Sequence, residues 1–494
     1  MTDVEFYELR YSGKAAAFLR GFRALYLGVF FNVLIMATVS LAIIKIGGVM
    51  LKLTPVETLL IASIVTVVYS TLGGLRGVLI TDFFQFGIAM IGAVGAAVVA
   101  VRLPQVGGIQ GLLTADVLQG KLALLPDFTQ MDALIPLFIL PLAVQWWSVW
   151  YPGAEPGGGG YIAQRMLSAK TEKHAVGATL LFNAAHYALR PWPWIIVALC
   201  SLLVFPDLAS LQQAFPHVAP NVLRHDLAYP AMLTFLPAGL LGLVVASLIA
   251  AFMSTISTHL NWGSSYVVND FYKRFINPEA SDKLQVRIGR ISTVVLMVLM
   301  AVMALVLSNA LQAFQILLQI GAGTGLLFIL RWFWWRINPY SELTAMVVSF
   351  FAAVYLQLIH PVTGLPEISV HGRLLAGVGI TTISWVGVTF LTRPSDKNTL
   401  RSFYRLVKPG GPGWAKVVQE AHAEGEKLEE TGKGWDVPNG ILCMVLGCFM
   451  IYSTLFSIGY WIYGKYTVAV LLNLAALGGL YGLIKAWKRL RWLA

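Results

Sequence analysis

Predominantly apolar stretches recur twelve times along the chain, near 22–49, 56–72, 80–102, 133–150, 176–205, 236–268, 289–308, 311–334, 342–360, 374–392, 438–458 and 466–486. Each has the ~17 or more residues that a helix needs to cross the hydrocarbon core of a bilayer. Polar or basic segments separate them. The pattern predicts an all-α polytopic membrane protein of about twelve spans, with both termini on one side. It also predicts two surface features: short helices in the long segment 103–132, and one amphipathic helix around Trp414–Glu430 in an otherwise linker-like segment 393–437.

Composition agrees. Of 494 residues, 57% are hydrophobic and only 12% charged, against roughly 25% charged in soluble domains; the mean hydropathy is +0.72. The net charge of +11 does not point to nucleic acid, because the basic residues sit in short loops. With residues 1–23 inside, 27 of the 35 Lys and Arg fall in inner segments, six in outer loops, and two, Lys45 and Arg190, within spans. This bias places both termini in the cytoplasm, and a bacterial inner (plasma) membrane is expected. The N-terminus is polar and basic and leads into a span too long for a signal-peptide core. Cys200, Cys443 and Cys448 lie in apolar runs, with neither a disulfide framework nor zinc spacing. No HExxH, GxSxG, phosphate loop or carboxylate pair is present, so an enzyme is not expected.

The chemistry sits where lipid would be. "LPAGLLGLVVASLIAAFMSTISTHLNWGSSYVVNDFYKRF" (Leu236–Phe275) carries Ser254, Thr255, Ser257 and Thr258 inside an apolar run. Such hydroxyls serve interhelical packing or give uncharged oxygen ligands to a small alkali cation. In "FNAAHYALRPWPWII", Asn183, His186 and Arg190 share a helical face. A charge at the bilayer centre costs about 2.5–3.5 kcal/mol, so Arg190 either caps carbonyls at the Pro191/Pro193 kink or faces the solute cavity. Gln312, Gln315 and Gln319 form a polar stripe, for interhelical bonding or for solute. Gln145, Trp146, Trp147 and Trp150 end the fourth span where it breaks into Pro- and Gly-rich sequence. Interfacial belt and solute cavity both suit them. Asp82 opens the third span, as an N-cap or as an attractor for a cation.

Together, "RGVLITDFFQ", "GGYIAQRMLSAKTEKHA", "YPAMLTFLPAGLLGLVVASLIAAFMST" and "VNDFYKRF" resemble, in order, segments of the sodium:solute symporter family. The resemblance implies a five-plus-five inverted-repeat (leucine-transporter-like) core: residues 1–340, divided into a partial first repeat, 1–130, and a second repeat, 131–340. Two additional helices (341–392), a cytoplasmic linker (393–437) and a C-terminal pair (438–494) follow. It implies a sodium ion at Ser254 and Thr255, helped by the carbonyl of Ala251, with Asp82 on the cytoplasmic exit route. His186 falls about where relatives contact solute, and Gln145 or Trp146 and Gln312 or Gln315 fall in cavity-lining helices. The expected partners are sodium, a small polar organic solute and the bilayer, with no organic cofactor. Two departures matter. "PGAEPGGGG" is inserted at the broken helix, and "VEFYELRY" resembles the segment after the second core helix, so the chain reads as N-terminally shortened. A cation-coupled importer is therefore the expectation. A proton-coupled or facilitative carrier, or a non-transporting sensor or remnant, are the rivals.

Overall fold

The computed structural model describes residues 3–72, 75–147, 165–218, 222–307, 310–428 and 435–490; side chains at 3, 68–72, 75–82 and 310–316 lie outside the description. In chain order the principal helices are α1 (Phe6–Arg10), α2 (Gly13–Leu51), α3 (Pro55–Leu72), α4 (Leu75–Val101), α5 (Met131–Gln145), α6 (Glu172–Val204), α7 (Ala238–Ile276), α8 (Asp282–Val306), α9 (Ala310–Phe333), α10 (Pro339–Val362), α11 (Val370–Leu391), α12 (Lys397–Val407), α13 (Ala415–Ala423), α14 (Val437–Ile462) and α15 (Tyr466–Trp487). Among the described residues nine helices are long and apolar enough to cross a membrane, and three shorter apolar ones lie in α3, α5 and α9. All twelve coincide with the twelve apolar stretches. The long segment 103–132 carries a helix at Gly108–Thr114, as expected.

Polar caps set where the helices start. Thr171 accepts from the His174 N–H before α6, and Ser281 from Leu284 before α8. Asn338 accepts from Tyr340 and Ser341 with Pro339 in the first helical position of α10. Several spans contain π-helical turns: 26–31 in α2, 135–139 and 141–145 in α5, 184–189 in α6, 266–276 in α7 and 355–359 in α10. Each inserts an extra residue into the backbone ladder, a distortion often met at functional sites.

Packing places α7 among α2, α3, α4 and α8, with α4 between α7 and α6. At the α2–α7 crossing a Cβ on Gly28 would strike the Tyr266 side chain, and one on Gly263 would strike Asn32 and the Gly28 carbonyl. Only glycine lets these backbones approach. Helices α9, α10 and α11 pack on one another. The α14–α15 pair docks on the middle of α6, where the Trp192 indole donates to the Leu455 carbonyl at 2.8 Å.

The segment after α11 differs from a surface linker with one helix. It folds as α12 and α13, separated by a turn in which Lys408, Gly410 and Gly411 take positive φ. The helix expected to reach Glu430 stops at Ala423, ahead of Gly425 at φ +80°. Leu400, Phe403, Tyr404, Trp414, Val417, Ala421 and Leu428 form a small buried core against Phe6, Trp332 and Trp335. Too few residues to bury a core alone, they borrow one from the membrane bundle. Residues 165–167 are helical, and the Gly-rich stretch ahead of them lies outside the described residues.

Candidate functional site

Ala251, Ser254, Thr255 and Thr258 recur at three- and four-residue spacing, so they form one face of α7. The Thr255 hydroxyl donates to the Ala251 carbonyl at 2.9 Å. Ala251 is exposed and Ser254 and Thr255 half-buried. The lone pairs of the Thr255 hydroxyl and the Ala251 carbonyl thus lie side by side on an accessible surface. One turn on, Arg165 donates from Nη2 to the Thr258 hydroxyl at 3.3 Å. Ser257 turns inward and donates to the Ser254 carbonyl at 3.1 Å, which fits packing.

On α6 the π turn at 184–189 ends at Arg190. Its Nη1 lies 3.0 Å from Nδ1 of His186, and its Cζ sits 4.4 Å from the centre of the Trp194 ring. His186 stacks on Phe182. Asn183 is spent on the Thr179 carbonyl at 2.8 Å. The π turn packs on α14, while α4 packs on the later part of α6 and on α7.

Gln145 ends the second π turn of α5 and is half-buried; Trp146 is 54% exposed. Beyond it Trp147 donates its indole N–H to the Ala322 carbonyl at 2.9 Å and presses on Gly325. This contact sets the end of α5 against α9, the helix that carries Gln312 and Gln315. The side chains of Asp82, Gln312 and Gln315, and the whole of Trp150, lie outside the described residues. Gln319 is buried and donates to the Arg373 carbonyl at 3.2 Å while accepting from Gln357 at 2.7 Å, so it ties α9 to α10 and α11.

Three polar pairings in or beside spans escaped the sequence reading. Lys45 pairs with Asp226. Asn32 and His259 pair inside the bundle. Arg331 and Glu342, both buried, pair at 3.3 Å at the side where α1 docks. Asn32 and His259 were visible as lone polar residues in apolar runs; nothing in their spacing marked them as partners.

Half-exposed hydroxyls and a carbonyl on one membrane helix, a central arginine on another, and π-broken helices around them define a multi-pass helical membrane protein with a transporter's architecture. A solved structure of a Na+-coupled sialic acid symporter in a substrate-bound, outward-open state shares its fold: TM-score 0.55 at 19% identity, covering 80% of this chain and 78% of that one. The family model described as "Sodium:solute symporter family" matches residues 1–349, and the chain belongs to that family. It is similar to a sodium/glucose cotransporter of Vibrio parahaemolyticus, at 29% identity over 206 residues, covering 40% of this chain and 38% of that protein. It is also similar to the human sodium/myo-inositol cotransporter 2, at 29% over 302 residues, 56% of this chain and 43% of that protein. The chain thus spans less than half the length of these relatives. The family is one of transporters, in keeping with the lack of catalytic motifs in the sequence.

Proposed function

We propose that this protein is a sodium-coupled symporter that imports a small polar organic solute across a bacterial inner membrane, with both termini in the cytoplasm. Sodium binds at Ser254, Thr255 and the Ala251 carbonyl, and leaves past Asp82. Solute is held by His186 and Arg190 together with Gln145, Trp146, Trp150, Gln312 and Gln315. The scaffold is read as a five-plus-five inverted repeat, with residues 1–130 from the first repeat and 131–340 from the second. Rocking of one helix bundle against the other then alternates access, and the membrane potential adds about 2.3 kcal/mol of inward drive per charge per 100 mV. The transport of glucose, myo-inositol or sialic acid named for the relatives supports a polyhydroxylated or acidic solute.

One observation carries this reading. The Thr255 hydroxyl and the Ala251 carbonyl lie 2.9 Å apart on an accessible face of α7. The test is ligand-induced stabilisation of the purified full chain. Sodium, and not potassium or choline at equal ionic strength, should raise Tm, and Ser254→Ala with Thr255→Ala should abolish the rise. An unchanged sodium response in that double variant would sink the site. A response to pH in place of sodium would favour a proton-coupled carrier.

A further inference from the structure

We propose that the solute is a carboxylate, and that Arg190 reads its charge. The inference rests on the symporter reading above and names its substrate class.

Arg190 is within two residues of the midpoint of Glu172–Val204, one of the nine long apolar helices. At a rise of 1.5 Å per residue it lies about 21 Å along the helix from Val204. Within an apolar span of this length a guanidinium needs a counter-charge or a set of acceptors. The molecule supplies these elsewhere. Arg20 has Asp270 at 2.6 Å and Glu8 at 2.7 Å; Arg331 has Glu342; Arg401 has Glu424 and Glu426. Arg10 donates to three backbone carbonyls. Arg190 has no carboxylate among the described residues. Nor does it cap the carbonyls at the Pro191/Pro193 kink: among the described residues its one hydrogen-bonding partner is the His186 ring.

Its setting is built nonetheless. Nη1 is committed to His186, and Trp194 underlies the guanidinium carbon at 4.4 Å. These two contacts fix the plane of the group and leave Nε and Nη2 directed elsewhere. Two parallel N–H groups in a fixed fork match the two oxygens of a carboxylate. The anion that completes the site arrives with the solute and leaves with it. A neutral polyol would leave the charge uncompensated on every cycle.

The experiment uses the purified full chain in saturating sodium. The probes are gluconate, glucuronate, lactate and pyruvate, with glucose and myo-inositol as uncharged counterparts. At least one carboxylate should stabilise the wild type where its uncharged counterpart does not. Arg190→Gln should raise the half-saturating concentration about 10- to 100-fold, with Arg190→Lys in between; both variants are first checked for monodisperse elution. The proposal is overturned if an uncharged probe stabilises wild type and Arg190→Gln alike, if carboxylate binding ignores Arg190, or if sodium stabilises the protein but none of the carboxylates does. Those outcomes leave the sodium site standing. Absence of any sodium response removes the reading beneath it as well.

Discussion

Asn32 of α2 and His259 of α7 satisfy each other twice across the bundle. The Asn32 amide donates to the His259 carbonyl at 2.7 Å, and its oxygen lies 2.6 Å from the His259 ring nitrogen Nδ1. Both side chains are buried, and His259 follows Thr255 by one turn. The pair fixes the height and rotation of the hydroxyl face relative to α2. Asn32→Ala removes both of these buried hydrogen bonds, so a loss of about 1–3 kcal/mol is expected in denaturant or thermal melts. Gly263→Ala, one turn further, should cost a similar amount by driving a methyl into Asn32. Unchanged melting of either variant would refute this coupling.

A second prediction concerns the buried ion pair. Arg331 bonds to Glu342 at 3.3 Å and to the Tyr7 hydroxyl at 2.9 Å, while Tyr11 donates to the same carboxylate. Side-chain exposures of 7% and 0% leave no water to take over. Glu342→Ala should destabilise by about 3–5 kcal/mol, because it abandons a buried cation. Glu342→Leu combined with Arg331→Met should restore much of the loss, since an apolar pair needs no counter-charge. A double variant no more stable than Glu342→Ala would contradict this account.

Acid should loosen the N-terminal contact. Glu8 accepts from Arg274 and from Arg20, each at 2.7 Å. Its partial burial favours the neutral acid, but the two guanidiniums outweigh that and hold the carboxyl below its ordinary 4.5. A depressed folded-state value means that the stabilisation is complete above the ordinary value and is lost as pH falls through the folded one. The difference in Tm between wild type and Glu8→Gln should be widest near neutrality and close below about pH 4.5. A difference that widens in acid would reverse the sign.

The docked segment after α11 is open to proteolysis if its anchor is cut. Trp414 donates to the Trp332 carbonyl at 2.9 Å, and a Cβ on Gly413 would overlap the Phe333 carbonyl. Gly413→Ala and Trp414→Ala should both speed trypsin cleavage after Arg405, at the end of α12, with the membrane bundle intact. Equal cleavage rates would mean that α12 and α13 hold without this contact.

The twelve apolar stretches were legible because lipid imposes one rule on every residue of a span. The α7 hydroxyls stood out for the same reason. What stayed hidden depends on distance along the chain. Nothing near Arg10 foretells that its guanidinium meets the carbonyls of Arg331, Trp334 and Trp335. Likewise, no local spacing tells Gln319, bound to Arg373 and Gln357, from Gln312 and Gln315 on the same stripe. The break between α12 and α13 was written in "VKPGGPGW" and passed over, because the aromatic and charged residues around it also suit a longer amphipathic helix.

The docking of Arg10 bears on how the protein is made. Its acceptors on Trp335 lie 325 residues later. At synthesis rates of about 5–20 residues per second, roughly 15 to 65 s pass before they leave the ribosome. Throughout that interval α2 can already be in the bilayer while the arginine and the aromatic residues beside it wait at the surface without their seat. A helix late in the chain therefore seats the first segment, and a nascent chain stalled before α9 should display its N-terminal segment to quality-control factors.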